Sequence, residues 1–513
     1  MARPFRSLVV ALAVAALWAV LAHSRALFGQ AVSPGASVPP KAATAPETIP
    51  EVEEARKALG TNWDRAAYLL RQAVRENKDL PPADVIIGQW CAQSNQGSLA
   101  RMSLEKAVMS DPKDPEAFVI LGNMALQEQR TTEAELLFLK AQQLLGPFDR
   151  SPKRKGILEQ QTISGLAGVD EAREKWKDAQ TKLETLLKLS PKDALAMQRL
   201  ARALFQQRKA ADSLKWLRKS KEVGGPDILT PEAALAQLYE RFPDHGNAIV
   251  WMQKALEKAP ADLATRLVTA QWTLETGQLD EAEKHAVKAL QLAEAERQHA
   301  SQEEAPKLEA RLLNAKILRG LVALYRKDFK TAEKFFEDAH LQSPGNFAAS
   351  NNLALALCEQ KDEGTGKPDQ AKLNRALEFA NANFQADPRN PEAASTLGWV
   401  LYRVGCLDRA ENALRQALAA SLGPDAAYHL ARASYDRGDK ELAKNLLEAA
   451  LKTPSFLTRP EAQALYDKIR AEPPAKDKEE SNPFSIRPEA KGLLEKIEAG
   501  PPAKDKEKPK DAR

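Results

Sequence analysis

Small residues recur along this chain inside a frame of large apolar ones. In "LDRAENAL", Ala410 lies among leucines, and the same place is held by Ala66, Ala100, Ala134, Ala179, Ser213, Ala248, Ala282, Ala332, Ala376 and Ala443. Seven of the ten successive gaps are within one residue of 34, and the other three are longer by 11, 16 and 10. A second small residue stands upstream, twelve positions away in most units: Gly88, Gly122, Ala167, Ala201, Ala236, Ala270, Gly320, Ala354, Gly398 and Ala431. A third follows by seven at Ala73, Ala107, Ala141, Ala255, Ala289, Ala339, Ala417 and Ala450. Pro112, Pro191, Pro260, Pro344 and Pro388 close units, while Gly97, Gly277, Gly405 and Gly438 fall at or near their midpoints.

This pattern predicts two helices of about a dozen residues per unit, packed antiparallel through a short turn. Small residues are needed where backbones approach, and bulky neighbours such as Leu397, Leu414, Phe336 and Phe138 fill the space beside them. Proline stops the second helix and sets the turn into the next unit. A lone pair of helices cannot bury its apolar face, so units must stack. A coiled coil is disfavoured by the frequent prolines and the 34-residue period.

The segment "PEAFVILGNMALQEQRTTEAELLFLKAQQLLG" (115–146), with Leu121-Gly122, Ala134, Phe138 and Ala141, resembles the tetratricopeptide repeat family, and 391–422 is nearly as close. The resemblance covers roughly 47–457. It departs at the mostly absent leading Trp and at Ser213, Ser220, Leu186 and Asn383, which replace alanines. The expected fold is therefore all-α: a right-handed α-solenoid of about eleven stacked helix-turn-helix repeats (51–457), closed by a C-terminal capping helix (458–472).

Three stretches interrupt the period. Residues 145–159 are expected as an extended loop, 291–312 as a lengthened helix broken at Pro306, and 361–372 as a lengthened turn. "GTGK" in the last is not a phosphate loop: the upstream glycine is missing and Pro368 stands where Ser or Thr is required. The C-terminus holds a different duplication, "FLTRPEAQALYDKIRAEPPAKDKE" (456–479) and "FSIRPEAKGLLEKIEAGPPAKDKE" (484–507). Residues 473–513 are expected to be a mostly disordered charged tail containing the second short helix, 487–497.

Net charge is +4, and Arg3, Arg6, Arg25 and Lys41 supply all of it. The repeats carry no basic excess, so no nucleic-acid partner is expected. Arg3 and Arg6 precede the uncharged run Leu8–Ala22, which reads as a signal peptide or an uncleaved membrane anchor within 1–31. Residues 32–50 read as a flexible Pro/Ala-rich linker. The localisation expected is extracytoplasmic, periplasmic or secreted, or anchored to a membrane.

Cys91, Cys358 and Cys406 have no metal-ligand spacing and read as small apolar residues inside helices. The six histidines form no H-x-x-x-H frame, and no G-x-S-x-G elbow occurs. No second domain supplies a pocket, so no catalysis, cofactor, metal or small-molecule substrate is expected.

In the family that the repeats resemble, the first helix of each unit lines a concave groove for an extended peptide or a helix. The resemblance implies a groove lined by Ile317, Leu321, Tyr325, Asn351, Leu355, Trp399, Tyr402, Arg403, Tyr428, Arg432 and Tyr435. Tyr, Trp and Arg are residue types of binding hot spots. Earlier units would present Gln198, Arg202, Phe205, Gln237, Gln271 and Leu274. The carboxylate grip of the family's chaperone-binding members is disfavoured, since its lysine is missing among Val85, Gln89, Val119 and Asn123. The function expected is a non-catalytic interaction scaffold for a protein or peptide ligand. The alternative is a self-associating structural or accessory subunit of a cell-envelope export or polysaccharide machine.

Overall fold

A computed structural model describes residues 49–472, apart from 95, 226–227, 242–243, 300, 303, 422 and 454–455. The leader or anchor at 1–31, almost all of the linker, and the tail 473–513 with its second helix lie outside the described residues. Among those described are twenty-three helices and no strand.

The helices come as eleven pairs and a closing helix. The pairs are α1 (Pro50–Ala58) and α2 (Trp63–Glu76), α3 (Ala83–Gln93) and α4 (Gly97–Ser110), α5 (Glu116–Gln127) and α6 (Thr131–Leu145), α7 (Pro152–Ala172) and α8 (Trp176–Leu189). Then follow α9 (Ala194–Gln206) and α10 (Ala210–Gly224), α11 (Pro231–Arg241) and α12 (His245–Lys258), α13 (Leu263–Glu275) and α14 (Leu279–Gln298), α15 (Ala305–Tyr325) and α16 (Phe329–Gln342). The last are α17 (Phe347–Cys358) and α18 (Gln370–Ala386), α19 (Pro391–Val404) and α20 (Leu407–Ala420), α21 (Pro424–Arg437) and α22 (Lys440–Leu451), with α23 (Arg459–Ala471) closing the series. The chain divides after Thr265 into two compact units. In each, pairs stack as an α-solenoid of helical repeats.

All eleven recurring small residues, from Ala66 to Ala443 and including Ser213, are at most 1% exposed. Their upstream partners are equally constrained. A Cβ on Gly398 would lie 2.6 Å from Leu414 Cγ, one on Gly320 would lie 2.7 Å from the Phe336 ring, and one on Gly122 would lie 2.9 Å from the Phe138 ring. The small residues thus sit where a bulky side chain of the paired helix presses on the backbone.

A left-handed turn recurs inside seven of the eleven pairs. The residue five before the recurring small residue has a left-handed backbone at Gln129 (φ 59°), Glu174 (58°), Arg208 (65°), Gly277 (76°), Lys327 (62°), Gly405 (98°) and Gly438 (100°). Such a residue ends a helix by letting following amides reach back, as Cys406 N does to the Leu401 carbonyl at 2.9 Å and Asp439 N to Ser434 at 2.9 Å.

Two expectations need correction. Residues 152–159 are not loop but the first turns of α7: Ser151 caps it by accepting from Arg154 N at 3.1 Å, and Pro152 takes the first helical position. Cys406 is buried, but at the turn before α20 and not inside a helix. The other interruptions are a break at 299–304 just before Pro306, and a turn closed by a bridge between Lys361 and Pro368.

Candidate interaction surface

Within 266–472 the first helix of each pair also meets the first helix of the next. Contacts run α15 to α17, α17 to α19, α19 to α21 and α21 to α23. The first helices therefore form one layer. Relative to the small residues Gly320, Ala354, Gly398 and Ala431, the register positions one, four and five residues later hold Leu355, Arg432, Tyr402, Tyr435, Tyr325 and Arg403. All six are half-buried.

The other predicted lining residues lie deeper. Ile317, Leu321, Asn351, Trp399 and Tyr428 are buried between helices. Close winding of successive first helices turns these side chains into stacking material, a distinction that register alone does not contain. Trp399 stacks on Tyr402 (4.9 Å, 19°) and on His429 (4.3 Å, 17°), and its indole N–H donates to Glu359 Oε1 at 2.7 Å.

Both arginines are paired. Arg403 lies 3.5 Å from Glu359, and Arg432 Nε donates to Asp436 Oδ2 at 3.1 Å and to the Tyr402 hydroxyl at 3.0 Å. Tyr402 in turn donates to Asp436. The Tyr435 hydroxyl donates to Glu472, and Lys468 Nζ lies 4.9 Å from its ring centre. Sequence reasoning missed Glu359, Asp436, His429 and Glu472. Only the spacing of Arg432 and Asp436, four apart on one helix, was available to flag any of them.

Desolvation sets the protonation of this layer. It pushes the Tyr402 phenol up to about 12, with the bond to Asp436 acting the same way and Arg432 opposing. Tyr325 and Tyr428 are also raised, chiefly by burial. Burial drops His429 to about 3, so its imidazole is neutral, and its Nδ1 has no hydrogen-bond partner. The surface thus offers apolar ring faces and neutralised ion pairs, without a shifted acid–base pair poised over a cavity.

The layer in 49–265 is built differently. Arg154 is 1% exposed and bonds Asp114 (2.9 Å) and Glu116 (2.7 Å), while Gln89 donates to Glu116 at 3.0 Å. Arg199 and Arg202 both pair with buried Glu171, at 2.9 and 3.2 Å. Among the described residues no group of three His, Cys, Asp or Glu could hold a metal, and no helix is long and apolar enough to cross a membrane.

Three segments, 92–151, 169–226 and 395–456, match the sequence profile described as tetratricopeptide repeat. The chain carries tetratricopeptide repeats. No curated protein matches it. Similar solved structures include a tetratricopeptide repeat protein from Parabacteroides merdae (13% identity, TM-score 0.39, covering 54% of this chain and 98% of that one). Yeast Tom70 is another (13% identity, TM-score 0.34, 82% and 95%). A thermophilic repeat protein of Thermus thermophilus is a third (20% identity, TM-score 0.30, 39% and 98%). Tetratricopeptide repeats form protein–protein interaction scaffolds, and the matched repeats make this chain such a scaffold.

Proposed function

We propose that the chain is a non-catalytic scaffold that holds a segment of a protein or peptide ligand against the first-helix layer of 266–472. One observation carries the reading: Tyr325, Leu355, Tyr402, Arg403, Arg432 and Tyr435 all stand one, four or five residues after the small residue of their first helix, and each is half-buried. Ring faces and Arg stems supply apolar contact, and the paired carboxylates Glu359 and Asp436 supply acceptors. The buried Trp399, Tyr428 and Ile317 set the shape of that surface from beneath. Export or membrane tethering belongs to the same proposal and is supported by Arg3, Arg6 and the uncharged run that follows.

The test is capture with the tagged full chain, followed by the variant Leu355→Ala/Arg403→Ala. The expected result is an unchanged helical circular dichroism spectrum and a loss of captured ligand of about tenfold or more, the size of a lost hot-spot pair. Undiminished capture would remove the layer from the binding function.

A further inference from the structure

The closing helix α23 occupies a seat on α21 and α22. Three side chains enter it: Ala462, Leu465 and Ile469 are 0%, 5% and 8% exposed. Polar contacts fix its start. Thr458 donates from its backbone N–H and its hydroxyl to Asp425 Oδ1, both at 2.8 Å, and Arg459 donates to the Leu451 carbonyl at 3.0 Å. Glu461 pairs with Lys327, in the turn between α15 and α16. Further along, Tyr466 donates to Glu448 at 2.9 Å, and Glu472 pairs with Lys440 at 2.6 Å.

The duplicated segment 484–500 repeats this helix in a selective way. Every buried position is kept: Ala490, Leu493 and Ile497 stand 28 residues after Ala462, Leu465 and Ile469. Arg487, Pro488 and Glu489 repeat Arg459, Pro460 and Glu461, and Phe484 repeats Phe456. Within the helix the two copies differ at five places. Four of them, Gln463, Ala464, Asp467 and Arg470, are exposed in the seated copy, and the fifth, Tyr466, is half-buried and becomes Leu494. Over 459–471 the differences thus spare every fully buried position. A tail kept only for charge or solubility has no reason to hold those positions fixed.

We infer that the seat has a second occupant, residues 484–500 of the same chain, which exchanges with 456–472. The second copy lacks the tyrosine hydroxyl, has Ile486 in place of Thr458 and Gly500 in place of Glu472, and carries Gly492 where α23 has Ala464. It forgoes the bonds to Glu448, Tyr435 and Lys440 and the hydroxyl bond to Asp425, and glycine in place of Ala464 is the poorer helix former. It is therefore the weaker occupant, and α23 holds the seat at rest. The linker 473–483 leaves ample chain for either copy to reach it. Exchange would free the Tyr435 hydroxyl from Glu472, whose place Gly500 takes, while Lys496 repeats Lys468. This inference does not depend on what the first-helix layer binds.

The experiment uses three full-length chains: L465D/I469D, L493D/I497D and the fourfold variant. Hydrogen exchange at Leu430–Tyr435 reports an occupied seat. The expected result is near-wild-type protection in both double variants, and a drop of about tenfold or more only in the fourfold variant. Equal loss in L465D/I469D and the fourfold variant would overturn the inference. A second readout guards against damage to the fold. In L465D/I469D, the added pair Lys327→Cys and Glu489→Cys should form a disulfide running as a monomer on a non-reducing gel. No cross-link would overturn the inference, and a cross-linked dimer would show that the segment seats on a second copy of the chain instead.

Discussion

The first helices of 49–265 are tied by buried charge, whereas those of 266–472 are tied by stacked rings. In the former, Arg154 satisfies Asp114 and Glu116 out of water, and Glu171 bridges Arg199 and Arg202. In the latter, Trp399 lies between Tyr402 and His429, and the ion pairs sit at the half-exposed edge. The repeat grammar is the same in both, so it fixes helix contact and leaves the inner layer to vary. A charge network buried between helices closes a surface, and rings with an open edge leave one available.

The sharpest break of this comparison is to remove a charge from each region. Arg154→Leu strands Asp114 and Glu116 in the interior and should cost about 3–5 kcal/mol in urea unfolding. Arg432→Ala, at a site whose side chain is 36% exposed, should cost less than about 1 kcal/mol. Equal losses would mean that the two layers are not held differently.

Next in size is a test of the shared grammar. Gly398→Ala places a methyl 2.6 Å from Leu414 and should cost about 1–3 kcal/mol. Gly97→Ala meets open space and should stay within about 0.5 kcal/mol.

The ring layer also has its own pH signature. His429 is held near 3, below its unfolded value of about 6.5, so the unfolded chain binds the extra proton between those limits. Stability from this group is complete above about pH 6.5 and is lost as pH falls toward 3, by up to about 1.4 kcal/mol per unit. His429→Phe keeps a ring against Trp399, and its unfolding free energy should fall less steeply than wild type between these limits. Parallel curves would show that the imidazole is not the group responsible.

The smallest effect separates turns that carry glycine from those that do not. Gly405→Ala forces a side chain into φ 98° and should cost about 1 kcal/mol, while Arg208→Gly should relieve a similar strain. A loss of stability in Arg208→Gly would show that its side-chain contacts outweigh its backbone.

These turns also show how far the sequence could be read. Spacing located Ala410 and its equivalents because a packing contact forbids bulk whatever surrounds it. It located the left-handed turn residue only where that residue is glycine. At Gln129, Glu174, Arg208 and Lys327 the flanking helices impose the same backbone on side chains that disfavour it. Residues 152–159 read as loop from the length of the interruption, although Ser151-Pro152 carried a helix-start signal. The candidate lining residues all lie on first helices, but burial of Trp399 and Asn351 depends on how closely successive units wind. Pairs such as Arg403 with Glu359, or Arg154 with Asp114, join residues of different units, and no local pattern marks them.

The scaffold reading is tested most directly by photo-crosslinking from single positions of the full chain. A photoreactive residue replaces either Leu355, on the first-helix layer, or Leu341, a 73% exposed leucine on second helix α16. The expected result is a protein adduct from Leu355 that unlabelled ligand suppresses, and none from Leu341. Adducts from Leu341 alone would move the binding surface off the first-helix layer and contradict the proposal.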